Sequence, residues 1–272
     1  MSLAEKSAIS VQIINKARSL GASLAGIASV EQLKKSPSHD IYTKIEPNQG
    51  VGSRDFAEGV KPGEVAWPPN AKSALVIALA HKEDDPQMDW WIVGDDDRES
   101  RGYRLLLDIL DDVSEWAVKE LAITTHLLPY HLEKGGIFYK DAGVLAGLGC
   151  IGKNNLLLTP QYGPRVRVWA LLFDEELPPT GPVIYDPCDG CDEPCRQACP
   201  RNAFGCAAHS PIKMGMVTLP GKNGWYDRET CRPETEKNLE NKEFIQLDGH
   251  AEPVEVIKFC RLCELSCPVG KG

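Results

Sequence analysis

Nine of the ten cysteines in this 272-residue chain fall between Cys188 and Cys267, and their spacing is that of ligands to iron. The first group reads Cys188-Asp-Gly-Cys191-Asp-Glu-Pro-Cys195-Arg-Gln-Ala-Cys199-Pro200, and the second Cys260-Arg-Leu-Cys263-Glu-Leu-Ser-Cys267-Pro268. Two-cluster ferredoxins use C-x2-C-x2-C-x3-C-P, in which the fourth cysteine of each run serves the other cluster. The second group matches the last three cysteines of that pattern, and Cys231 is the best supply for its missing first member. The first group carries one extra residue before Cys195, which leaves Cys206 as a reserve ligand. The crossing rule predicts two [4Fe–4S] clusters. One takes Cys188, Cys191, Cys195 and Cys267, the other Cys199, Cys231, Cys260 and Cys263. Thiolates are soft, anionic donors that suit iron, and ligand runs shared in this way hold two clusters close enough to exchange electrons. Zinc also uses Cys-x2-Cys knuckles, but zinc ribbons need neither the Cys-Pro ending nor crossed runs. Cys150 and Cys206 also read as ordinary thiols, which behave as small hydrophobes when buried.

A second segment with chemical character is AGLGCIGKNNLLLTPQYGPRVRV, residues 146–168. Gly147, Gly149 and Gly152 have G-x-G-x-x-G spacing. The pattern here follows a helix and precedes a strand, whereas a dinucleotide fingerprint follows a strand and opens a helix. What remains is a backbone that a flat or large group could approach, with Lys153, Arg165 and Arg167 beside it, or a structural turn with surface basic residues.

The elements that must position these residues are partly legible. Ile9, Ile13, Ala17 and Leu20 predict an opening helix that stops at Gly21, followed by a strand over 23–29. Residues 36–70 read as a long loop. The apolar run Ala74 to Ala80 predicts a buried central strand. Residues 81–100 read as a second loop whose acidic side chains form a solvated face. Leu106, Leu110, Val113, Ala117 and Leu121 mark a helix over 103–121. A strand over 124–132 and a helix over 141–148 follow. Residues 155–158 and 166–173 read as a hairpin turning at 160–164. Pro178-Pro-Thr-Gly-Pro182 reads as a linker, which divides the chain into residues 1–180 and 181–272. No internal repeat occurs in the first 180 residues, and the two cysteine groups form a degenerate pair.

Composition bounds the function. The 42% hydrophobic content suffices for a sizeable core, and the formal net charge of −9 lacks the general basic field that nucleic acid attracts. Cysteine-rich but without a secretion signal, the chain is expected in the cytoplasm with its thiols reduced. No run approaches the roughly 20 apolar residues of a membrane span.

Taken together, Ala146 to Leu158, the doubled cysteine groups and Cys231 in DRETCRPE resemble epoxyqueuosine reductase and its relatives. LGASLAGIA and SRGYRLLLDILDDVSEWA also fit, so the resemblance covers roughly residues 10–270. It implies an α/β (α+β), nitroreductase-like cobalamin-binding domain, related to those of reductive dehalogenases, followed by a ferredoxin-like domain with two [4Fe–4S] clusters that feeds electrons to cobalt. It carries the corrinoid contact to Gly147, Gly149, Gly152, Lys153, Asn154 and Leu156. The family's catalytic acid falls at Glu133, in a stretch (HLEKGG) otherwise unlike the family, with Tyr139, Lys140 and Asp141 as alternative donors. The implied function is a cobalamin-dependent iron–sulfur reductase of a small electrophilic substrate, supplied by a donor such as ferredoxin or flavodoxin. Two alternatives are a ferredoxin-like protein that reactivates another protein's corrinoid, and a flavin enzyme with clusters. The acidic balance of 39 to 30 and the missing C-terminal helical region of the tRNA-modifying enzyme predict that tRNA is not the substrate. A local basic rim of Lys153, Arg165, Arg167 and Arg201 would be the counterargument.

Overall fold

The computed structural model describes residues 1–45, 56–81, 83–94, 99–222, 224–247 and 250–271. Helix α1 (Leu3–Ser19) opens on a capping box between Ser2 and Glu5 and leads into β1 (Leu24–Ser29). Two short helices follow, α2 (Val30–Lys34) and α3 (Pro37–Tyr42). Strand β2 (Ser73–Ala80) precedes two short strands, β3 (Trp91–Ile92) and β4 (Glu99–Ser100), and the long helix α4 (Arg101–Leu121). Then come β5 (Thr125–Leu127), α5 (Tyr139–Leu145), β6 (Cys150–Ile151), β7 (Leu157–Leu158) and β8 (Val166–Phe173). The cysteine region contributes α6 (Pro194–Gln197), α7 (Pro211–Met214), α8 (Arg228–Glu240), β9 (Glu243–Ile245), β10 (Val254–Ile257) and α9 (Leu262–Leu265).

The main sheet has the order β1-β2-β8-β5, antiparallel throughout, with Leu75 opposite Leu171 and Ile77 opposite Trp169. Six consecutive residues of β2 are buried, so both faces of the sheet are covered. Helices α1 and α4 pack on the sheet and on each other, and α5 packs on β1, β2 and β8. The stripe Leu106, Leu110, Val113, Ala117 of α4 is fully buried, and Leu121 at its end is half-buried.

A second sheet, β4-β3-β10-β9, takes two strands from before residue 180 and two from after it. The Pro178 to Pro182 segment is not a free linker. Thr180 exchanges backbone and side-chain hydrogen bonds with Ile27, and its hydroxyl donates to the Ala146 carbonyl at 2.7 Å.

Several sequence expectations are corrected. The loop expected over 36–70 contains α3, while residues 46–55 of it lie outside the described residues. The strand expected over 124–132 is only three residues long. Residues 155–158 do not form a hairpin with β8: β7 pairs with β6, and β8 pairs with β2 and β5. Strands of two residues carry no period from which pairing could be read. Asp89, expected in a solvated acidic face, is buried against Arg167 and Arg261.

Candidate metal and cofactor site

The structure gathers eight cysteines into two groups of four. Cys188, Cys191, Cys195 and Cys267 line one small cavity with Lys153, Leu158 and Pro268. Three of these sulfur-bearing residues are buried: Cys188, Cys195 and Cys267. Burial, then repulsion from Cys267, Cys188 and Cys191, pushes the Cys195 thiol up to about 11. Around the other group, burial, then repulsion from Cys260, Glu264, Cys231 and Cys199, pushes Cys263 up to about 12. The two groups adjoin because α6, which carries Cys195, packs on α9, which carries Cys263. Cys206 is exposed, and Cys150 is half-buried on β6 with its thiol raised to about 11 by burial, then by Cys188.

The donor set fits a bulky cationic centre. Four thiolates placed this closely repel one another unless a positive group lies between them. Two backbone amides already face sulfur: Lys153 N–H donates to Cys188 Sγ and Ala203 N–H to Cys199 Sγ, each at 3.4 Å. Such bonds stabilise thiolate charge and tune cluster potential.

The glycine turn packs on its own chain. Gly147 has φ +76°, and a Cβ there would stand 2.8 Å from the Thr180 carbonyl oxygen; one on Gly149 would stand 1.9 Å from that of Leu158. Gly152 meets the Leu158 side chain in the same way. The close approach the glycines allow is therefore between segments of the protein. Lys153 and Asn154 turn toward the cysteine groups. Lys153 Nζ pairs with Glu193 at 2.6 Å, and the Lys153 carbonyl accepts from Arg196 Nε at 3.0 Å. Leu156 N–H donates to Asn154 Oδ1 at 3.2 Å.

Two cavities lie beside this turn, with Ile151 and Leu219 as shared lining. One of about 280 Å³ is walled by Ile41, Phe138, Lys140, Asn155, Tyr226 and Arg228. A wider one of about 610 Å³ is walled by Val144, Leu145, Cys150, Tyr185, Thr218 and Lys222, among others. Neither is lined by Gly147, Gly149, Gly152, Lys153, Asn154 or Leu156. Their size and largely apolar walls suit a large organic ligand.

Of the candidate proton donors, Lys140 alone reaches the smaller cavity. Its ammonium is buried and donates to the Asn155 carbonyl at 2.7 Å. Burial lowers its pKa, opposed by the charges of Asp141 and Cys263. Tyr139 is a core residue: its hydroxyl donates to the Pro129 carbonyl at 2.7 Å, and burial holds its pKa far above the usual phenol value. Asp141 caps α3, accepting from Ser38 N–H at 3.0 Å and Ser38 Oγ–H at 2.7 Å. Glu133 sits on a single 3-10 turn, 3.8 Å from His131 Nδ1.

Comparison with known proteins gives this architecture its relatives. No family model matches the chain. Epoxyqueuosine reductase of Bacillus cereus is 25% identical over 272 residues, covering 96% of this chain. The chain is similar to epoxyqueuosine reductase over nearly its whole length. It spans 64% of the length of that relative. A solved epoxyqueuosine reductase bound to an epoxyqueuosine-modified tRNA stem loop matches 98% of this chain and 66% of its own, at TM-score 0.60 and 20% identity. A catabolic reductive dehalogenase in complex with 3-bromo-4-hydroxybenzoic acid matches 74% of this chain and 26% of its own, at TM-score 0.52 and 20% identity. These likenesses give the chain a mixed α/β fold similar to both groups of reductases.

The expectation that tRNA is not the substrate is overturned by the relative that holds a tRNA stem loop in this fold. Net charge was a poor guide because it says nothing of distribution. The basic rim weighed against that expectation is not free. Lys153 pairs with Glu193, Arg167 with Asp89 and Arg201 with Glu234; Arg165 is buried, donating to the Cys267 and Val269 carbonyls. Sequence reasoning missed Tyr226 and Arg228 in the smaller cavity and the buried Asp89. Tyr226 and Arg228 had one available signal, since they stand within five residues of Cys231.

Proposed function

We propose that this chain is an epoxyqueuosine reductase-like oxidoreductase that carries electrons through two [4Fe–4S] clusters to a bound corrinoid and reduces an electrophilic centre on a modified nucleoside of tRNA. The observation that carries the reading is the crossed pair of cysteine groups, with Lys140 lining a ligand-sized cavity and close enough to Cys263 to feel its charge. In this reading residues 1–180 supply a nitroreductase-like corrinoid half and residues 181–272 a ferredoxin-like half. An external donor such as ferredoxin or flavodoxin would supply electrons.

The residues that would hold the corrinoid are those walling the two cavities: Phe138, Ile151, Asn155, Leu219 and Tyr226, with the glycine turn behind them. When bound, the corrinoid supplies a strongly nucleophilic metal centre. The chain's own residues supply the rest. The apolar walls exclude water. Lys140, in the cavity lining, holds a proton at Nζ that burial makes easier to release. Arg228 and Lys140 give the cavity a cationic side suited to an anionic group. Glu133 is a second acid, outside the cavity lining.

The test is anaerobic reconstitution of the chain, iron and sulfide analysis, titration with cob(II)alamin, and turnover of an epoxyqueuosine-containing tRNA stem loop with a chemical reductant. The reading expects about eight iron atoms, a change of the cobalamin spectra to the base-off type, and queuosine product. Stoichiometric zinc, or flavin binding in place of cobalamin, would overturn it. Clusters and cobalamin without turnover of the stem loop would remove the tRNA assignment alone.

A further inference from the structure

The last cysteine run carries a largely buried charge network that the proposed chemistry does not use. Arg261 stands between Cys260 and Cys263 in the chain, and Glu264 follows directly. The Arg261 guanidinium reaches Glu264 through Nε at 3.2 Å and again through Nη2. Its Nη1 lies 2.7 Å from Asp89 Oδ2. Asp89 also meets Arg167 and, at 3.0 Å, His81 Nδ1. His81 lies 3.5 Å from Glu264. The side chains of Asp89 and His81 are each 3% exposed and that of Glu264 12%. His81, Asp89 and Glu264 have the spacing of metal ligands. Arg261 engages both acids and Arg167 engages Asp89, and the two guanidinium groups would repel a cation.

Two arginines and two carboxylates therefore meet in a low-dielectric place, one turn of chain from two cysteines of the group. Glu264 follows Cys263 directly on α9, so its carboxylate charge lies beside any cluster that Cys263 holds. Left alone, that charge would oppose adding an electron to a cluster there. Arg261 offsets it, and Asp89 anchors Arg261 from the opposite side.

We propose that the Arg261–Glu264 pair, held in place by Asp89, sets the reduction potential of the second cluster independently of the first. The inference rests on the cluster assignment given above. Arg261 is the tuning cation, and Asp89 is a positioning residue. Reduction adds one negative charge, so a fixed cation nearby raises the potential and a fixed anion lowers it.

The experiment is a redox titration of the full, cluster-loaded chain followed by electron paramagnetic resonance, with iron and sulfide content measured on each variant. Arg261→Gln lowers the potential of the second cluster, by about tenfold in the reduction equilibrium, equivalent to about 59 mV for one electron. Glu264→Gln raises it by a similar factor, the double variant returns toward wild type, and the first cluster does not move. Shifts of the same sign in the two single variants, equal shifts in both clusters, or none with full iron content would overturn the proposal. If Arg261→Gln fails to hold its iron, Glu264→Gln decides: an unmoved second cluster there overturns it. Wild-type protein without clusters would defeat the cluster assignment itself, a result distinct from either.

Discussion

Asn154 Nδ2 donates to the Cys263 carbonyl at 3.3 Å, joining the glycine turn to the last cysteine group across 109 positions of chain. Asn154 is 3% exposed, and its Oδ1 accepts the Leu156 N–H at 3.2 Å. One side-chain amide thus satisfies both segments. This bond ties the turn to the second cysteine group, and the Lys153 bonds beside it tie the turn to the first.

Removing the amide leaves a buried carbonyl without a donor and the Leu156 N–H without an acceptor. Asn154→Ala is expected to lower stability by about 1–3 kcal/mol while iron content stays at the wild-type value. Anaerobic denaturant titration of cluster-loaded protein measures the first, and iron and sulfide analysis the second. Loss of less than about 0.5 kcal/mol, the range of ordinary surface changes, would show that the bond is not a structural joint.

Ligand assignment is tested by substitution. Cys231→Ser should halve the iron, from about eight atoms to about four, because its sulfur belongs to the second group with Cys199, Cys260 and Cys263. Cys206→Ser should leave the iron unchanged, since Cys206 is exposed while Cys195 is buried in the first cavity. Full iron in the Cys231 variant, or loss in the Cys206 variant, would reverse the assignment.

Local signals made part of this legible in the sequence. The α4 stripe of Leu106, Leu110, Val113 and Ala117 repeats often enough to fix a face, and each of these residues is buried. The apolar run of β2 is long enough to announce a strand covered on both sides. What was not legible depends on distant partners. Asp89 sits among acidic neighbours and looks solvated, but Arg167 is 78 positions away, and Arg261 further still. Gly147 and Gly149 advertise a close approach without saying to what, and the answer is Thr180 and Leu158. Lys140, Tyr139 and Asp141 are equivalent in the sequence; packing puts Lys140 at the smaller cavity, Asp141 at the wider one and Tyr139 in the core.

That distinction yields opposite outcomes for neighbouring substitutions. Lys140→Met should cut reductase turnover by about a hundredfold, the low end for loss of a positioned acid, with stability little changed, because relief of the buried charge offsets the donor lost from the Asn155 carbonyl. Its lowered pKa means the unfolded chain binds that proton more tightly. The charged amine therefore costs stability below the ordinary lysine value of 10.5, and an apolar replacement relieves that cost. Asp141→Asn should instead destabilise the protein by weakening the two bonds from Ser38, with turnover changed only severalfold. Turnover of the tRNA stem loop and denaturant melts on both variants check the pair. Full turnover in Lys140→Met would remove Lys140 as proton donor.

His39 makes stability depend on pH. Its Nε2 accepts the Phe138 N–H at 3.3 Å, so the ring proton sits on Nδ1 and is shared with Ser36 Oγ at 2.9 Å. The ring packs edge-on against Phe138 at 4.8 Å and tilted against Trp67 at 5.1 Å. A second ring proton would displace the Phe138 bond and place charge in an apolar site, so burial lowers the pKa from 6.5 to about 4, against a smaller opposing pull from Asp141. Between those two values the unfolded chain holds a proton that the folded protein does not. Stability attributable to His39 is therefore fully present above pH 6.5 and falls as pH drops toward 4. Each pH unit within that window is worth up to about 1.4 kcal/mol. His131 and His209, also lowered mainly by burial, push in the same direction, so the single residue must be isolated by difference. From pH 6.5 to 5.5, wild-type protein should lose about 1 kcal/mol more than His39→Gln does. Denaturant melts at closely spaced pH values on both proteins measure this. Parallel curves would mean that His39 titrates alike in the folded and unfolded chain and that its ring site is open to water.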